Sequence, residues 1–143
     1  MKPEELLAGL GALLGIDLTP GKEGTCRLVL DEDTVDFEVS GDRLFVMADI
    51  GSAVDRMSAC ARFLAADHLG TETGGAVISL DEKREVFVLH SMFEAGISSA
   101  KFEERLTLFV KALRYWKAWL NALSVETAAQ VPAGQNFYNM LAV

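Results

Sequence analysis

The chain has 143 residues, of which 50% are apolar and 24% charged, with 13 Lys and Arg against 21 Asp and Glu for a net charge of −8. A single domain of this length buries roughly 70% of its unfolded surface without help from disulfides or metals. The acidic balance speaks against nucleic acid, which needs clustered cations, and against an anionic membrane surface. Pro3, Glu4 and Glu5 open a helix, proline suiting the first turn and the carboxylates facing the positive end of the dipole. Leu6, Leu7, Leu10, Leu13 and Leu14 recur at helical spacing, and Gly15 is a stop. Thr19-Pro20-Gly21 is a turn.

Three strands follow. Thr25 to Leu30 sends Cys26, Leu28 and Leu30 to one side, and Asp31-Glu32-Asp33 makes a tight link. Val35, Phe37 and Val39 alternate with Asp36 and Glu38, the mark of a half-buried strand. After a turn at Ser40-Gly41-Asp42, the run Leu44 to Ala48 is apolar on both faces and so belongs at the centre of the sheet. The short links require an antiparallel meander. Ser52 is placed to cap a second helix with Asp55 as an imperfect capping box, the helix reaching about Leu69 with Val54, Met57, Ala61 and Leu64 as its apolar stripe. Gly70 to Gly75 reads as a flexible connector. Ala76, Ile78 and Leu80 share one face of a fourth strand, Val86 to Leu89 carry a fifth, and Asp81-Glu82-Lys83-Arg84 is the hairpin between them. The last helix spans roughly Ser99 to Leu123, with Phe102, Leu106, Phe109, Leu113, Trp116 and Leu120 as a core-facing stripe.

The expected fold is therefore α+β, a single domain of helix, three strands, helix, two strands and helix, with a twisted antiparallel sheet packed by helices over residues 1–123. Residues 124–143 form a C-terminal tail that carries one charge, Glu126, and ends in the apolar Phe137-Tyr138-Asn139-Met140-Leu141. Charge is uneven. Residues 1 to 97 hold 8 basic and 18 acidic groups, a net of −10, whereas residues 98 to 121 hold Lys101, Arg105, Lys111, Arg114 and Lys117 against Glu103 and Glu104, a net of +3. A basic helix on an acidic body is either a solvated face with pairs such as Lys101 with Glu104 or an orienting surface for an acidic partner.

Catalytic chemistry is not legible. There is no phosphate-binding glycine loop. Cys26 and Cys60 are too few and too widely spaced for a disulfide framework or a metal site, and His68 and His90 lie on different elements. Cys60 and His68 are too far apart along one helix to touch, although Cys26 could meet His90 across the sheet. The carboxylates of Asp31, Glu32, Asp33, Asp81 and Glu82 sit in hairpin tips, where solvation leaves them ordinary. The sequence points to no enzyme, no cofactor and no metal. The N-terminus has no signal-peptide pattern and no apolar run reaches the width of a bilayer, so the expected location is the cytoplasm.

The order of elements, in an acidic chain of this size, resembles the class I type III secretion chaperones, the Tir-chaperone family. Leu6-Leu7-Ala8-Gly9-Leu10-Gly11 resembles the opening helix of that family. Asp17-Leu18 and Gly24 to Leu30 resemble the entry into its first strand, and Val35-Asp36-Phe37-Glu38 and Leu44-Phe45-Val46-Met47-Ala48 its second and third strands. The resemblance implies a homodimer in the bacterial cytoplasm whose partner is a secreted effector, bound through a stretch near its N-terminus and held partly unfolded, without ATP hydrolysis. It implies effector-groove residues at Leu6, Leu10, Leu28, Leu30, Val35, Phe37, Leu44 and Val46, and a dimer contact through Val54, Met57, Leu64 and Ile78; on amphipathic elements the same residues also serve as core. The acidic balance leaves neither a nucleic acid nor a membrane as an expected partner. Two other readings stay open: a regulatory interaction module of this fold unconnected with secretion, and a small-ligand binder with a cavity under the last helix.

Overall fold

The computed structural model describes residues 1–123; the expected C-terminal tail lies outside the described residues. Helix α1 (Pro3–Leu14) starts with proline in its first turn, where Glu5 Oε2 accepts the Lys2 N–H at 2.9 Å, and stops at Gly15 in the left-handed conformation. Strands β1 (Thr25–Leu30), β2 (Asp33–Ser40) and β3 (Arg43–Ser52) form the expected meander. Helix α2 (Ala59–Asp67) runs into a 3₁₀ turn, His68–Gly70, and strands β4 (Val77–Asp81) and β5 (Val86–Glu94) make a hairpin. Helix α3 (Ser99–Ala122) is capped by the Ser98 hydroxyl, which accepts the Lys101 N–H at 3.2 Å. The sheet order is β1-β2-β3-β5-β4, every pair antiparallel. The doubly apolar strand β3 is indeed central, and β1 and β4 are the edges.

Alternation along each strand gives the sheet two unequal faces. Leu28, Val35, Phe37, Leu44, Val46, Ala48, Ile78, Leu89 and Phe93 point to one face and are buried. The helices cover that face with Leu6, Leu7 and Leu10 from α1, Phe63 from α2, and Phe102, Leu106, Phe109, Leu113, Trp116 and Leu120 from α3. The α3 stripe is thus core, as its spacing required. On the other face Val29, Phe45, Met47, Val77, His90 and Met92 are exposed or half-buried.

Two sequence expectations need correction. The second helix begins at Ala59 rather than just after Ser52, because β3 runs on to Ser52 and the chain turns through residues 53–58, where the Ser52 hydroxyl accepts the Val54 N–H instead of capping a helix. Its buried stripe is accordingly Ala59, Phe63 and Ala66, and Val54, Met57 and Leu64 face outward. The segment from Gly70 to Gly75 is also no loose connector. Thr73 is fully buried with its hydroxyl on the Ala76 carbonyl, Trp116 Nε1–H donates to the Glu72 carbonyl at 2.8 Å, and Glu72 pairs with Arg62 at 2.6 Å. Gly74 adopts a φ of +63° with its Cα so close to α3 that a Cβ would lie 2.9 Å from the Leu108 carbonyl oxygen.

Trp116 is the test of this arrangement. Trp116→Ala should cost about 3–5 kcal/mol through loss of a fully buried ring. Trp116→Phe should cost about 1–3 kcal/mol, because it leaves the Glu72 carbonyl without its donor. Denaturant titration would give both values, and hydrogen exchange should show residues 71–76 opening first in Trp116→Phe.

Candidate interaction surfaces

The residues expected to line an effector groove divide sharply. Leu6, Leu10, Leu28, Val35, Phe37, Leu44 and Val46 are each no more than 5% exposed. They present no surface to a partner in this structure, because α1 and α3 occupy the sheet face to which they point. Leu30 is half-buried at the end of edge strand β1. Among the expected dimer residues, Val54, Met57 and Leu64 are 47%, 45% and 62% exposed, whereas Ile78 is core.

Exposed apolar side chains gather in two places instead. Leu13, Leu14 and Ile16 end α1 and begin the loop after it. Helical spacing grouped Leu13 and Leu14 with the buried leucines, but they lie one turn beyond the cover of the core. On the other side of α1 an open cleft of about 770 Å³ runs between Glu4 and Ala8 and the loop of Leu18, Pro20 and Lys22. The second gathering surrounds α2 and edge strand β4: Val54, Met57, Leu64, Leu69, Val77 and Leu80 are all exposed. There a notch of about 320 Å³ has Val54, Met57 and Leu80 in its wall and Asp55, Glu82 and Glu85 around it.

The two sheet edges differ. Between β1 and β2 the Val39 N–H donates to the Gly24 carbonyl at 2.8 Å. With the register Thr25↔Glu38 to Leu30↔Asp33, Cys26, Leu28 and Leu30 then bond inward to β2, while the backbone of Thr25, Arg27 and Val29 faces away. The Thr25 carbonyl accepts the Gly21 N–H at 2.9 Å. The amides of Thr25, Arg27 and Val29 and the carbonyls of Arg27 and Val29 have no partner among the described residues. On β4, by contrast, the outward Ile78 N–H donates to Asp67 Oδ1 at 2.7 Å, and the Ala76 carbonyl takes the Thr73 hydroxyl.

Electrostatics at the β1–β2 turn were not foreseen. Asp33, read as an ordinary hairpin-tip carboxylate, is buried: its Oδ2 accepts Arg114 Nε at 2.7 Å and its Oδ1 accepts Lys117 Nζ at 3.0 Å. Desolvation pushes its pKa up, but the hydrogen bonds from Arg114 and Lys117 outweigh that and hold it below the usual carboxylate value. The cations of α3 are thus largely engaged within the fold. Lys101 meets Glu104 at 3.0 Å, and Arg105 lies over the Phe93 ring at 4.4 Å. Asp81, also read as ordinary, is held below the usual value by Arg84, which bonds it at 2.7 Å and reaches Asp49 on β3 at 2.9 Å.

Among the described residues no catalytic grouping appears. Cys26 lies on edge strand β1 with its side chain toward the helix-covered face, and two strands separate it from β5, whose His90 points to the opposite face, so the two do not meet. Burial, with Asp17 and Asp36 nearby, pushes the Cys26 thiol up rather than activating it. Among the described residues no group of His, Cys, Asp or Glu could hold a metal ion, and no helix is long and apolar enough to cross a membrane.

An α+β domain with a sheet covered on one face, apolar side chains exposed at two places and an open strand edge has the features of a protein-binding domain. Comparison with known proteins makes the assignment specific: residues 5–117 match the Tir chaperone protein (CesT) family, and the chain belongs to that family. Among solved structures, the fold is similar to one in the ExsC–ExsE complex (TM-score 0.72, 20% identity, covering 87% of this chain and 100% of that one). It is similar to one in the HopA1–SchA chaperone–effector complex (TM-score 0.66, 18% identity, 80% and 91% covered). It is also similar to one in the complex of the Yersinia pestis type III secretion chaperone SycH with a stable fragment of YscM2 (TM-score 0.63, 17% identity, 79% and 98% covered). Among curated proteins no significant match is found.

The Asp33 clamp yields a pH prediction. Its folded-state pKa lies below the unfolded one, about 3.9, so its contribution is fully present above the unfolded pKa and is lost as pH falls through the folded value. Asp33→Asn should cost about 1–2 kcal/mol at pH 7, since Arg114 and Lys117 keep partial access to water. It should also flatten the fall in stability below about pH 4. Urea melts of both proteins between pH 7 and pH 2.5 would check this, and parallel curves would refute the clamp.

Proposed function

We propose that the protein is a cytoplasmic type III secretion chaperone that binds the N-terminal region of a secreted effector and keeps it soluble and competent for export. The observation that carries this reading is the match of the chaperone family over residues 5–117. Binding without catalysis agrees with a surface that offers apolar side chains and backbone groups.

The effector segment is extended and adds to the free edge of β1, bonding to the outward backbone of Arg27 and Val29. Strand addition draws affinity from the backbone and asks little of the partner's sequence. Side chains of the added strand on the helix side would cover Cys26 and Leu30, half-buried at this edge, and flanking apolar residues would find Leu13, Leu14 and Ile16. Two copies associate through α2 and β4 by Val54, Met57 and Leu64; Ile78 supports that surface from within. Isologous pairing brings the same patch of each copy together and doubles the area available to offset the entropy of ordering an extended chain.

Affinity capture of the tagged protein from its host under secretion-active conditions, followed by mass spectrometry, should return one dominant partner bound through a segment near its N-terminus. Absence of any enriched partner would refute the chaperone reading. Val29→Pro should lower capture at least about tenfold, since it removes an edge donor. Its melting temperature should change little, because that N–H points away from β2. Leu64→Glu should convert the dimer to a monomer in light scattering behind size exclusion.

A further inference from the structure

Edge strands are open templates that proteins must either use or close. In this sheet β1 is open along most of its length, whereas β4 is closed by side chains at its start. Strand β4 pairs with β5 through the register Val77↔His90 to Asp81↔Val86. Because the Ile78 N–H goes to a side chain on the other side, the backbone of residues 76, 78 and 80 is the set facing away from β5. Two of the outward groups at its start are taken by side chains: the Ala76 carbonyl by the Thr73 hydroxyl and the Ile78 amide by Asp67 Oδ1. Both guards are fixed in place. Asp67 is the last residue of α2, held to the core through Phe63 and Ala66. Thr73 is fully buried in the loop that Trp116 anchors at Glu72. Around this edge stand the exposed Val77, Leu80 and Leu64, an apolar setting in which an unguarded strand would pair with its own copy.

We propose that Asp67 is an edge guard: its carboxylate occupies the Ile78 amide, so that β4 cannot pair with the β4 of a second copy. Contacts of this side of the molecule are then made by side chains, and strand acceptance is left to β1. The charge itself contributes, since a second β4 approaching antiparallel would bring a second Asp67 toward the first. The inference concerns the isolated chain and stands apart from the identity of any effector.

The test uses the full chain carrying Leu64→Glu, which keeps the outward face of α2 from associating on its own. In that background the Ile78 amide should exchange at least about tenfold more slowly than the outward amides of Arg27 and Val29; equal rates would overturn the proposal. Adding Asp67→Ala should speed exchange at Ile78 and produce concentration-dependent association in sedimentation velocity. Asp67→Asn, which keeps an acceptor oxygen, should associate less than the alanine variant. Adding Leu80→Pro to Asp67→Ala removes the next outward donor and should return the protein to the monomer, which association through general unfolding would not do. An Asp67→Ala protein that stays folded and monomeric with a fast Ile78 amide would overturn the guard role, as would association that survives Leu80→Pro.

Discussion

The indole of Trp116 holds together parts of the chain that the sheet cannot. Its ring meets Phe63 of α2 at 5.5 Å and Trp119 of α3 at 5.6 Å, with the Arg62 guanidinium 4.9 Å from its centre. Phe63 in turn meets Phe87 of β5 at 4.8 Å. Edge-to-face contacts of this kind add to the burial of large rings. The indole N–H, which could not be buried without a partner, finds the Glu72 carbonyl. A short helix, a glycine-rich loop and one end of the sheet are thereby fixed to α3. Alone, a helix of 9 residues would be marginal in water. Its position here comes from Phe63, and the position of Asp67 at the end of that helix follows.

The sheet's opposite edge is fixed differently. The β1–β2 hairpin is tied to α3 by Asp33 with Arg114 and Lys117, a polar clamp on the first turn of β2, while the β1 backbone beyond it stays unpaired. One edge is thus capped by side chains at its start and the other is steadied without being covered. For a protein whose proposed work is to hold an extended segment of another chain, this asymmetry favours β1 as the edge to which such a segment adds. It also separates that place from the apolar side chains around α2. A sheet with two open edges could recruit copies of itself as readily as a partner.

The fold was legible because its signals are periodic. The period of two in Val35, Phe37 and Val39 and the doubly apolar run Leu44 to Ala48 placed β2 beside a central β3. The stripe from Phe102 to Leu120 gave α3 and the face it buries. The start of α2 was misread because Ser52 and Asp55 imitate a cap, and propensity alone cannot tell a turn that ends a strand from one that starts a helix. Two helix positions with similar side chains, Leu10 and Leu14, differ by whether another element happens to lie over them, and that is tertiary information. For the same reason the groove residues implied by the family resemblance include many that serve as core in this chain. Asp33 and Asp67 were the least legible of all. A carboxylate at a turn or a helix end carries no sign of the partner that reaches it from 81 residues away, as Arg114 does Asp33, or from a strand edge, as Ile78 does Asp67.

The charge distribution takes its meaning from these contacts. Read along the chain, α3 is a basic helix on an acidic body; in the fold, Lys101, Arg114 and Lys117 have carboxylate partners and Arg105 lies on an aromatic ring. The helix therefore offers an acidic partner far less free positive charge than its composition suggests, and the molecule meets solvent with the negative charge of its total, −8. Net charge of one sign keeps copies apart at long range, which matters for a surface bearing Leu13, Leu14, Ile16, Val54, Met57 and Leu64. Short-range apolar attraction then acts only between faces that fit closely enough to overcome that repulsion, a condition that favours a defined dimer or a threaded partner over indiscriminate association.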